Sequence, residues 1–295
     1  MLNLEQLAEL LAPHRTAAAV RVKEFSVGGR TFAFNSQPAI MGVLNLSADS
    51  WYRESVCLTT EAAVQRGQVL HAQGADIVDV GAESTLAAAV RVDVAGQNSR
   101  LLPVVRALRA AGILVSVETY QPAVTRACLE AGANILNLTG TDRSDELFRL
   151  VAAHEAAVII CYVQGRNVRE VGDFDFAADP TALMYEYFAR QIEVAQSHGV
   201  DRIFLDPGLG FYYRNLQDSA VRVRHQMRVF LNTFRLRTLG FPICHALPHA
   251  FEFFGEEVRC AESFFAVLAA LGKTDLFRTH EVPRIKAVLD TLKVF

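Results

Sequence analysis

Short apolar runs alternate with longer helical stretches eight times along this chain of 295 residues. Each run is continuously apolar, which is typical of parallel strands that are buried on both faces. Several of the helical stretches end at a glycine, the usual residue just past a helix end. The eight runs are residues 39–44, 76–80, 113–117, 134–138, 157–162, 202–205, 241–244 and 275–277.

This repeat predicts an α/β fold, a closed (β/α)₈ TIM barrel. A doubly wound open sheet is the alternative, but no G-x-G-x-x-G follows the first run. Before the barrel, residues 4–11 predict a short helix, and alternating runs around Gly28 and Gly29 predict a β-hairpin. We therefore assign residues 1–38 to a helix and hairpin that close the barrel bottom, and residues 39–295 to the barrel.

Composition excludes several classes of protein. Hydrophobic residues make up 51% of the chain and the formal net charge is −3, which excludes disorder and gives no basic surplus for nucleic acid. No window of about 20 residues lacks charges, so we expect no membrane partner. The five cysteines are scattered, and the start of the chain is amphipathic and acidic. We therefore expect a cytoplasmic protein.

Polar side chains follow the apolar runs, at the strand ends that meet at one mouth of a (β/α)₈ barrel. Carboxylates and amides in an apolar mouth suit a flat, nitrogen-rich heterocycle. Arg278 and His280 are two residues apart, so a strand directs both to one face, where they suit phosphate or pyrophosphate. Helix capping is the alternative role for any one of these polar residues. The residues include Asn45, Asp49, Asp79, Glu83, Glu118, Asn137, Tyr162, Gln164, Asp206, His245, Arg278 and His280.

Six segments resemble, in order, the motifs of the dihydropteroate synthase family, which are (β/α)₈ barrels of the pterin-binding superfamily. The segments are IMGVLNLSADSW, DIVDVGAEST, SVETY, GANILNLTG, FLDPGLGF and FRTH. The resemblance implies a transferase of folate biosynthesis. Such an enzyme condenses 6-hydroxymethyl-7,8-dihydropterin pyrophosphate with 4-aminobenzoate, with Mg²⁺ as cofactor. We also expect a homodimer.

The resemblance further implies roles for individual residues. The family's pterin-binding positions are occupied by Glu118, Asn137 and Asp206, with Glu118 in place of the usual Asp. Its catalytic positions are occupied by Asn45, Asp49, Arg278 and His280. Among these, Asn45 is the residue associated with Mg²⁺ and pyrophosphate, and the Arg-x-His pair is the one that holds the pyrophosphate.

The chain departs from the family where aminobenzoate binds. The second loop of the family reads S-T-R-P-G, whereas this chain has Leu86, Ala87 and Ala88 after Ser84 and Thr85. Counted from Pro242, the family's lysine after the seventh strand is replaced by Ala250, and the first loop carries Ala48, Trp51 and Tyr52 at altered positions. These losses predict weak or altered synthase activity. A non-catalytic pterin-binding paralogue is one alternative, and a methyltetrahydrofolate-dependent methyltransferase is the other.

Thr85, His245 and His249 are the candidates for the second-substrate pocket. His245 and His249 are four residues apart, a spacing that holds Zn²⁺ when both lie on one helix. Pro248 stands between them and disfavours a regular helix. A substitute for the missing lysine is therefore the favoured interpretation of these histidines, and a zinc pair is the weaker one.

Overall fold

The computed structural model describes residues 1–50, 52–86, 89–175, 179–211 and 213–294, so Trp51, Ala87 and Ala88 lie outside the described residues. The strands are β1 (Phe25–Val27), β2 (Arg30–Phe32), β3 (Ala39–Asn45), β4 (Ile77–Gly81), β5 (Leu114–Glu118), β6 (Ile135–Leu138), β7 (Ala157–Cys161), β8 (Ile203–Asp206), β9 (Cys244–Ala246) and β10 (Leu276–Thr279). The α-helices are α1 (Leu4–Leu11), α2 (Arg15–Ala18), α3 (Thr60–Ala72), α4 (Val94–Ala110), α5 (Pro122–Glu130), α6 (Ser144–Ala153), α7 (Pro180–Ser197), α8 (Ser219–Asn232), α9 (Phe251–Phe254), α10 (Ala261–Leu271) and α11 (Val282–Leu292). Short 3₁₀ helices lie at Ala12–His14, Arg53–Ser55, Arg214–Leu216, Thr233–Leu239 and Gly255–Cys260.

The predicted barrel is confirmed. Within the described residues, eight parallel strands pair in the order β8-β7-β6-β5-β4-β3-β10-β9. The two end strands approach each other through a parallel bridge between Leu205 and Ile243, where the Leu205 N–H donates to the Pro242 carbonyl at 3.0 Å. The carboxyl ends of all eight strands therefore meet at one mouth, because parallel strands in a closed sheet share one direction.

Most predicted runs agree with the observed strands to within one residue at the start, but β9 begins three residues later than its run. The cause is local. Pro242 has no N–H to contribute to a ladder, and the Ile243 N–H donates instead to the Asp275 carboxylate at 2.8 Å. Regular pairing therefore starts only at Cys244 and continues to Ala246.

Helix starts are fixed by side-chain caps. Helix α4 begins at Val94, where the Asp93 carboxylate accepts from the Gly96 N–H at 2.7 Å. Asp218 caps α8 in the same way, accepting from the Val221 N–H at 2.9 Å. Beyond α10, Gly272 allows close packing, since a Cβ there would lie 1.8 Å from the Phe230 carbonyl oxygen.

The β1–β2 hairpin packs against the amino-terminal ends of the barrel strands. The rings of Phe25 and Phe34 meet Phe204 edge-on, with centroids 5.1 and 5.4 Å away. Inward-facing barrel residues such as Met41 and Leu276 belong to the same buried cluster. The opposite, carboxyl-terminal mouth is thereby left as the open end of the barrel. No helix within the described part of the chain is long and apolar enough to cross a membrane.

Removal of one ring from this aromatic cluster is expected to destabilise the whole barrel. Phe34→Ala should lower the free energy of unfolding by about 3–5 kcal/mol, because the side chain is only 4% exposed and packs on three other rings. The control is Phe253→Ala, where the ring is 62% exposed and the change should stay within about 0.5 kcal/mol. Urea denaturation measures both; equal effects would contradict this packing role.

Candidate active site

A cleft opens at the carboxyl-terminal mouth of the barrel and brings most of the predicted site residues together. Its atom-free volume, including the part open to solvent, is about 970 Å³. Eight of the predicted residues line it: Asn45, Thr85, Glu118, Asn137, Asp206, His249, Arg278 and His280. Two others, Asp49 and His245, lie elsewhere.

Arg278 is the centre of the cleft floor. Its Nε donates to Asp79 Oδ2 at 2.8 Å, and its Nη2 donates to Glu118 Oε2 at 2.5 Å. Asp79 also accepts from the Asn137 amide at 3.1 Å and is fully buried. Asp79 was recognised in the sequence only as a polar strand end; its role as the partner that positions Arg278 comes from the structure.

Among the described residues, the cleft floor contains three carboxylates, those of Asp79, Glu118 and Asp206, but only one cation, Arg278. The pKa values of Glu118 and Asp206 are raised. Burial raises the pKa of Glu118 to about 7, although the charge of Arg278 opposes the shift. Burial likewise raises the pKa of Asp206 to about 6, against the Gly208 N–H at 2.8 Å and the charge of Arg278. A ligand that brings hydrogen-bond donors would satisfy these carboxylates better than the free protein does.

One wall of the cleft is built around a buried carboxylate on α10. Glu262 is fully buried, and its Oε1 lies 2.8 Å from His249 Nε2 and 2.9 Å from His280 Nδ1. Burial alone would raise the pKa of Glu262, but the hydrogen bonds from these histidines hold it well below its usual range. Tyr52 covers the group, with its ring stacked 4.5 Å from His280 and its hydroxyl donating to Glu281. No sequence signal points to Glu262, because it lies inside α10 and outside every motif.

Asn45 lies at the end of β3 with its amide held in one orientation. Its Nδ2 donates to Ser55 Oγ at 2.6 Å, which leaves the amide oxygen as a metal or ligand acceptor at the cleft. Asp49, by contrast, is exposed beyond the cleft, where its carboxylate accepts from the Val90 N–H at 3.1 Å. The expected position of Asp49 in the cleft is therefore corrected, since the first loop turns its carboxylate toward the second loop in this structure, while its catalytic role stays a prediction.

The placement of His245 in the second-substrate pocket is also corrected. Its ring is fully buried on the outer face of the barrel, against Phe230 at 4.6 Å and with Nε2 2.7 Å from Thr233 Oγ1. The reason is the alternation of β9: Cys244 faces the barrel interior, His245 faces the helices, and Ala246 lines the cleft. Burial lowers the pKa of His245 to about 3, so it remains neutral.

The second loop, which begins at Ser84, is held in place by hydrogen bonds from an arginine that belongs to none of the sequence motifs. Arg169 follows β7, is buried, and donates to the backbone carbonyls of Ser84 at 2.6 Å and Ala89 at 2.5 Å, and to that of Leu86. These contacts orient the loop that presents Thr85 to the cleft. Because its guanidinium is engaged by carbonyls, Arg169 supports this loop rather than replacing the arginine that the loop lacks.

Comparison with known proteins identifies the class and then the family. Residues 41–247 match the family model described as pterin binding enzyme, so the barrel is of the pterin-binding class. The dihydropteroate synthase of Streptococcus pyogenes is 30% identical over 276 residues, covering 88% of this chain and 98% of that relative. The chain belongs to the dihydropteroate synthase family.

Solved structures agree with this assignment. The dihydropteroate synthase of Xanthomonas albilineans, solved with 4-aminobenzoic acid, has a TM-score of 0.77 and 28% identity, covering 93% of this chain and 98% of that one. The enzyme of Thermus thermophilus in complex with 6HMPPP has a TM-score of 0.73 and 25% identity, covering 92% and 100%. These relatives give no support to the methyltransferase or non-catalytic alternatives.

Loss of the central arginine should destabilise the protein in a pH-dependent way. Arg278→Met leaves Asp79, Glu118 and Asp206 buried without their cation, at a cost of about 3–5 kcal/mol at pH 8. The pKa values of Glu118 and Asp206, already raised to about 7 and 6, rise further without Arg278. Both groups are then neutral at pH 5, where the decrease in the free energy of unfolding caused by Arg278→Met should be smaller than at pH 8 by at least about 1 kcal/mol.

The matched control for this experiment is Arg214→Met, at an exposed arginine, which should change stability by less than about 0.5 kcal/mol at either pH. Urea unfolding at pH 5 and pH 8 measures both variants. A loss for Arg278→Met that is equal at the two pH values would mean that charge compensation is not the function of this arginine.

Proposed function

We propose that this protein is a transferase that joins 6-hydroxymethyl-7,8-dihydropterin pyrophosphate to the amine of 4-aminobenzoate and releases pyrophosphate. The observation that carries the proposal is the cleft floor, where buried carboxylates and an amide surround Arg278. Its two substrates are those named for solved members of the family, one with 4-aminobenzoate and another with 6HMPPP.

Asp206 and Asn137 are proposed to orient the pterin ring. Asp206 Oδ1 already accepts from the Gly208 N–H, so its second oxygen is the one available to ring N–H and amino donors. The Asn137 amide nitrogen donates to Asp79, and its oxygen, which accepts from the Cys161 thiol at 3.5 Å, has a second lone pair for a ring donor. Together they match the donor edge of a pterin.

Glu118 is proposed to complete the ring contacts despite being longer than aspartate by one C–C bond, about 1.5 Å. Its bond to Arg278 draws the carboxylate toward the floor, which takes up the extra length. With a pKa of about 7, Glu118 is partly protonated at neutral pH, and the donors of the pterin ring would favour its ionised form, in which it acts as an acceptor.

The pyrophosphate is proposed to leave from the side of the cleft formed by Arg278 and His280, as the amine attacks the methylene carbon. These residues favour the departure by stabilising the charge that develops on the leaving oxygen. The bond from Asn45 Nδ2 to Ser55 fixes the Asn45 amide, and its oxygen is a ligand of the type that Mg²⁺ prefers. Mg²⁺ in enzymes commonly binds the phosphate oxygens of the substrate as well. When bound, Mg²⁺ neutralises part of the pyrophosphate charge.

Aminobenzoate is proposed to bind more weakly than in a family member that keeps the two cations. Leu86 and Ala250 provide no charge for its carboxylate. Arg222 lines the cleft but pairs with Glu252 at 2.9 Å, so its charge is largely satisfied. Thr85 and His249, the predicted second-substrate residues that line the cleft, are the remaining polar candidates. The homodimer and the cytoplasmic location stay predictions.

Asp206→Asn tests the pterin site. The variant loses a charge-assisted contact worth about 1.5–3 kcal/mol, so affinity for hydroxymethylpterin should fall about 10- to 150-fold at pH 8. The affinity of the unmodified protein for hydroxymethylpterin should decrease as the pH drops below 6, because Asp206, whose pKa is about 6, becomes protonated there. Calorimetric titration measures both effects. Asp201→Asn, at an exposed aspartate that pairs with Lys23, is the control and should bind normally.

Leu86→Arg tests the aminobenzoate side by restoring one cation. A single regained charge-assisted contact of about 1.5 kcal/mol should lower KM for aminobenzoate roughly tenfold. The control is Leu58→Arg, at a side chain that is 70% exposed and outside the cleft, which should leave KM unchanged. Steady-state turnover with the pterin pyrophosphate is the measurement. An unchanged KM in Leu86→Arg would show that the second loop does not contact the carboxylate.

A further inference from the structure

Three metal-ligating side chains from separate segments meet in the wall of the cleft. His249 precedes α9, Glu262 lies on α10, and His280 follows β10. One ligand atom of each residue lies within 4.8 Å of the other two. The side chains of His249 and Glu262 are 2% and 0% exposed. This group is therefore unlike a surface cluster of acids, where charged side chains gather without any ion.

We propose that His249, Glu262 and His280 bind a divalent transition-metal ion of the zinc class. Two imidazole nitrogens and one carboxylate oxygen are the ligands that Zn²⁺ takes in sites that keep a fourth position open. Zinc–ligand distances of about 2.0–2.2 Å place the ligand atoms roughly 3.4 Å apart in a tetrahedral site. Glu262 Oε1 lies 2.8 and 2.9 Å from the two nitrogens, so each of these separations would widen by about half an ångström to admit the ion, and the two nitrogens already lie within 4.8 Å of each other.

The hydrogen bonds behind Glu262 hold it in a ligating orientation. Its Oε2 accepts from the Thr279 hydroxyl, from the His280 N–H at 3.1 Å and from the Glu281 N–H at 3.3 Å. The other oxygen, Oε1, is the one directed at both histidines. Such outer contacts fix the orientation of metal ligands in known sites. The carboxylate is thus oriented with Oε1 between the two imidazole rings, where it would be a single oxygen ligand.

The fourth position of the proposed site faces the cleft. His249 and His280 both line it, while Glu262 closes the site from behind. The ring of Tyr52 covers the pair, 5.1 Å from His249 and 4.5 Å from His280. An ion held here offers one position to an anionic oxygen in the cleft. It also adds positive charge close to Ala250, where the chain lacks the lysine of its family.

The proposed site is distinct from the Mg²⁺ position at Asn45. Mg²⁺ binds oxygen ligands and gives up its waters reluctantly, so a pair of imidazoles selects against it. The competing explanation for the cluster is a hydrogen-bonded His–Glu–His group that holds no ion. Metal binding can be measured without substrate, so the test does not depend on the proposed transferase activity.

The test is calorimetric titration of Zn²⁺ into metal-free full-length protein, with Co²⁺ absorption as a report on geometry. We expect one equivalent bound with a Kd of about 1 µM or tighter, visible Co²⁺ bands of a four- or five-coordinate ion, and no displacement by millimolar Mg²⁺. His249→Ala and Glu262→Gln should each weaken Zn²⁺ binding about 100-fold or more. Circular dichroism checks that both variants are folded.

Two control variants make the result specific. His198→Ala removes a histidine that pairs with Asp145 at 2.9 Å in a two-residue contact, and it should leave Zn²⁺ affinity unchanged. Asn45→Ala should also leave it unchanged, because Asn45 is the candidate Mg²⁺ ligand. Binding of less than about 0.2 equivalents, or equal Zn²⁺ affinity in the unmodified protein and in folded His249→Ala, overturns the proposal and leaves the hydrogen-bonded group as the explanation.

Discussion

The ion-pair network around Arg278 is the interaction on which the cleft depends. One guanidinium contacts Asp79 and Glu118 directly, and its charge partly offsets the rise that burial produces in the pKa of Asp206. Burying three carboxylates in one barrel mouth is costly unless a cation compensates them. The compensation is incomplete, because the pKa values of Glu118 and Asp206 remain raised to about 7 and 6. In the free protein the carboxylates of Glu118 and Asp206 can therefore still accept hydrogen bonds, and a heterocycle with several N–H donors can provide them.

The barrel makes this network possible because its closed sheet brings distant segments of the chain to one mouth. Asp79 and Arg278 are 199 residues apart in sequence, yet only β3 separates their strands in the sheet. The hairpin with Phe25 and Phe34 fills the opposite end, so the strand ends near the cleft are supported by a packed interior. The cleft wall around Glu262, which contacts His249 and His280, is formed by helices and loops that the barrel holds in place.

Much of this architecture was predictable from sequence, and the failures have physical causes. Continuous apolar runs located the strands, because burial on both faces demands them. The sequence misplaces His245 because β9 continues one residue beyond it, to Ala246, which reverses the face to which His245 points. Motif resemblance placed Glu118 and Asp206 in the cleft. Glu262 and Arg169 were not found, since a buried charge in a helix or loop has no local pattern and is defined only by its distant partners.

The most direct test of this account is the proton release that accompanies binding of hydroxymethylpterin without its pyrophosphate. Calorimetry at pH 6.5 in two buffers of different ionisation enthalpy measures it. Ring donors favour the ionised carboxylates, so the raised pKa values of Glu118 and Asp206, about 7 and 6, should fall on binding. The account predicts release of about 0.5 to 1 proton per ligand. Binding without proton release, or with proton uptake, would contradict the claim that these acids receive the pterin.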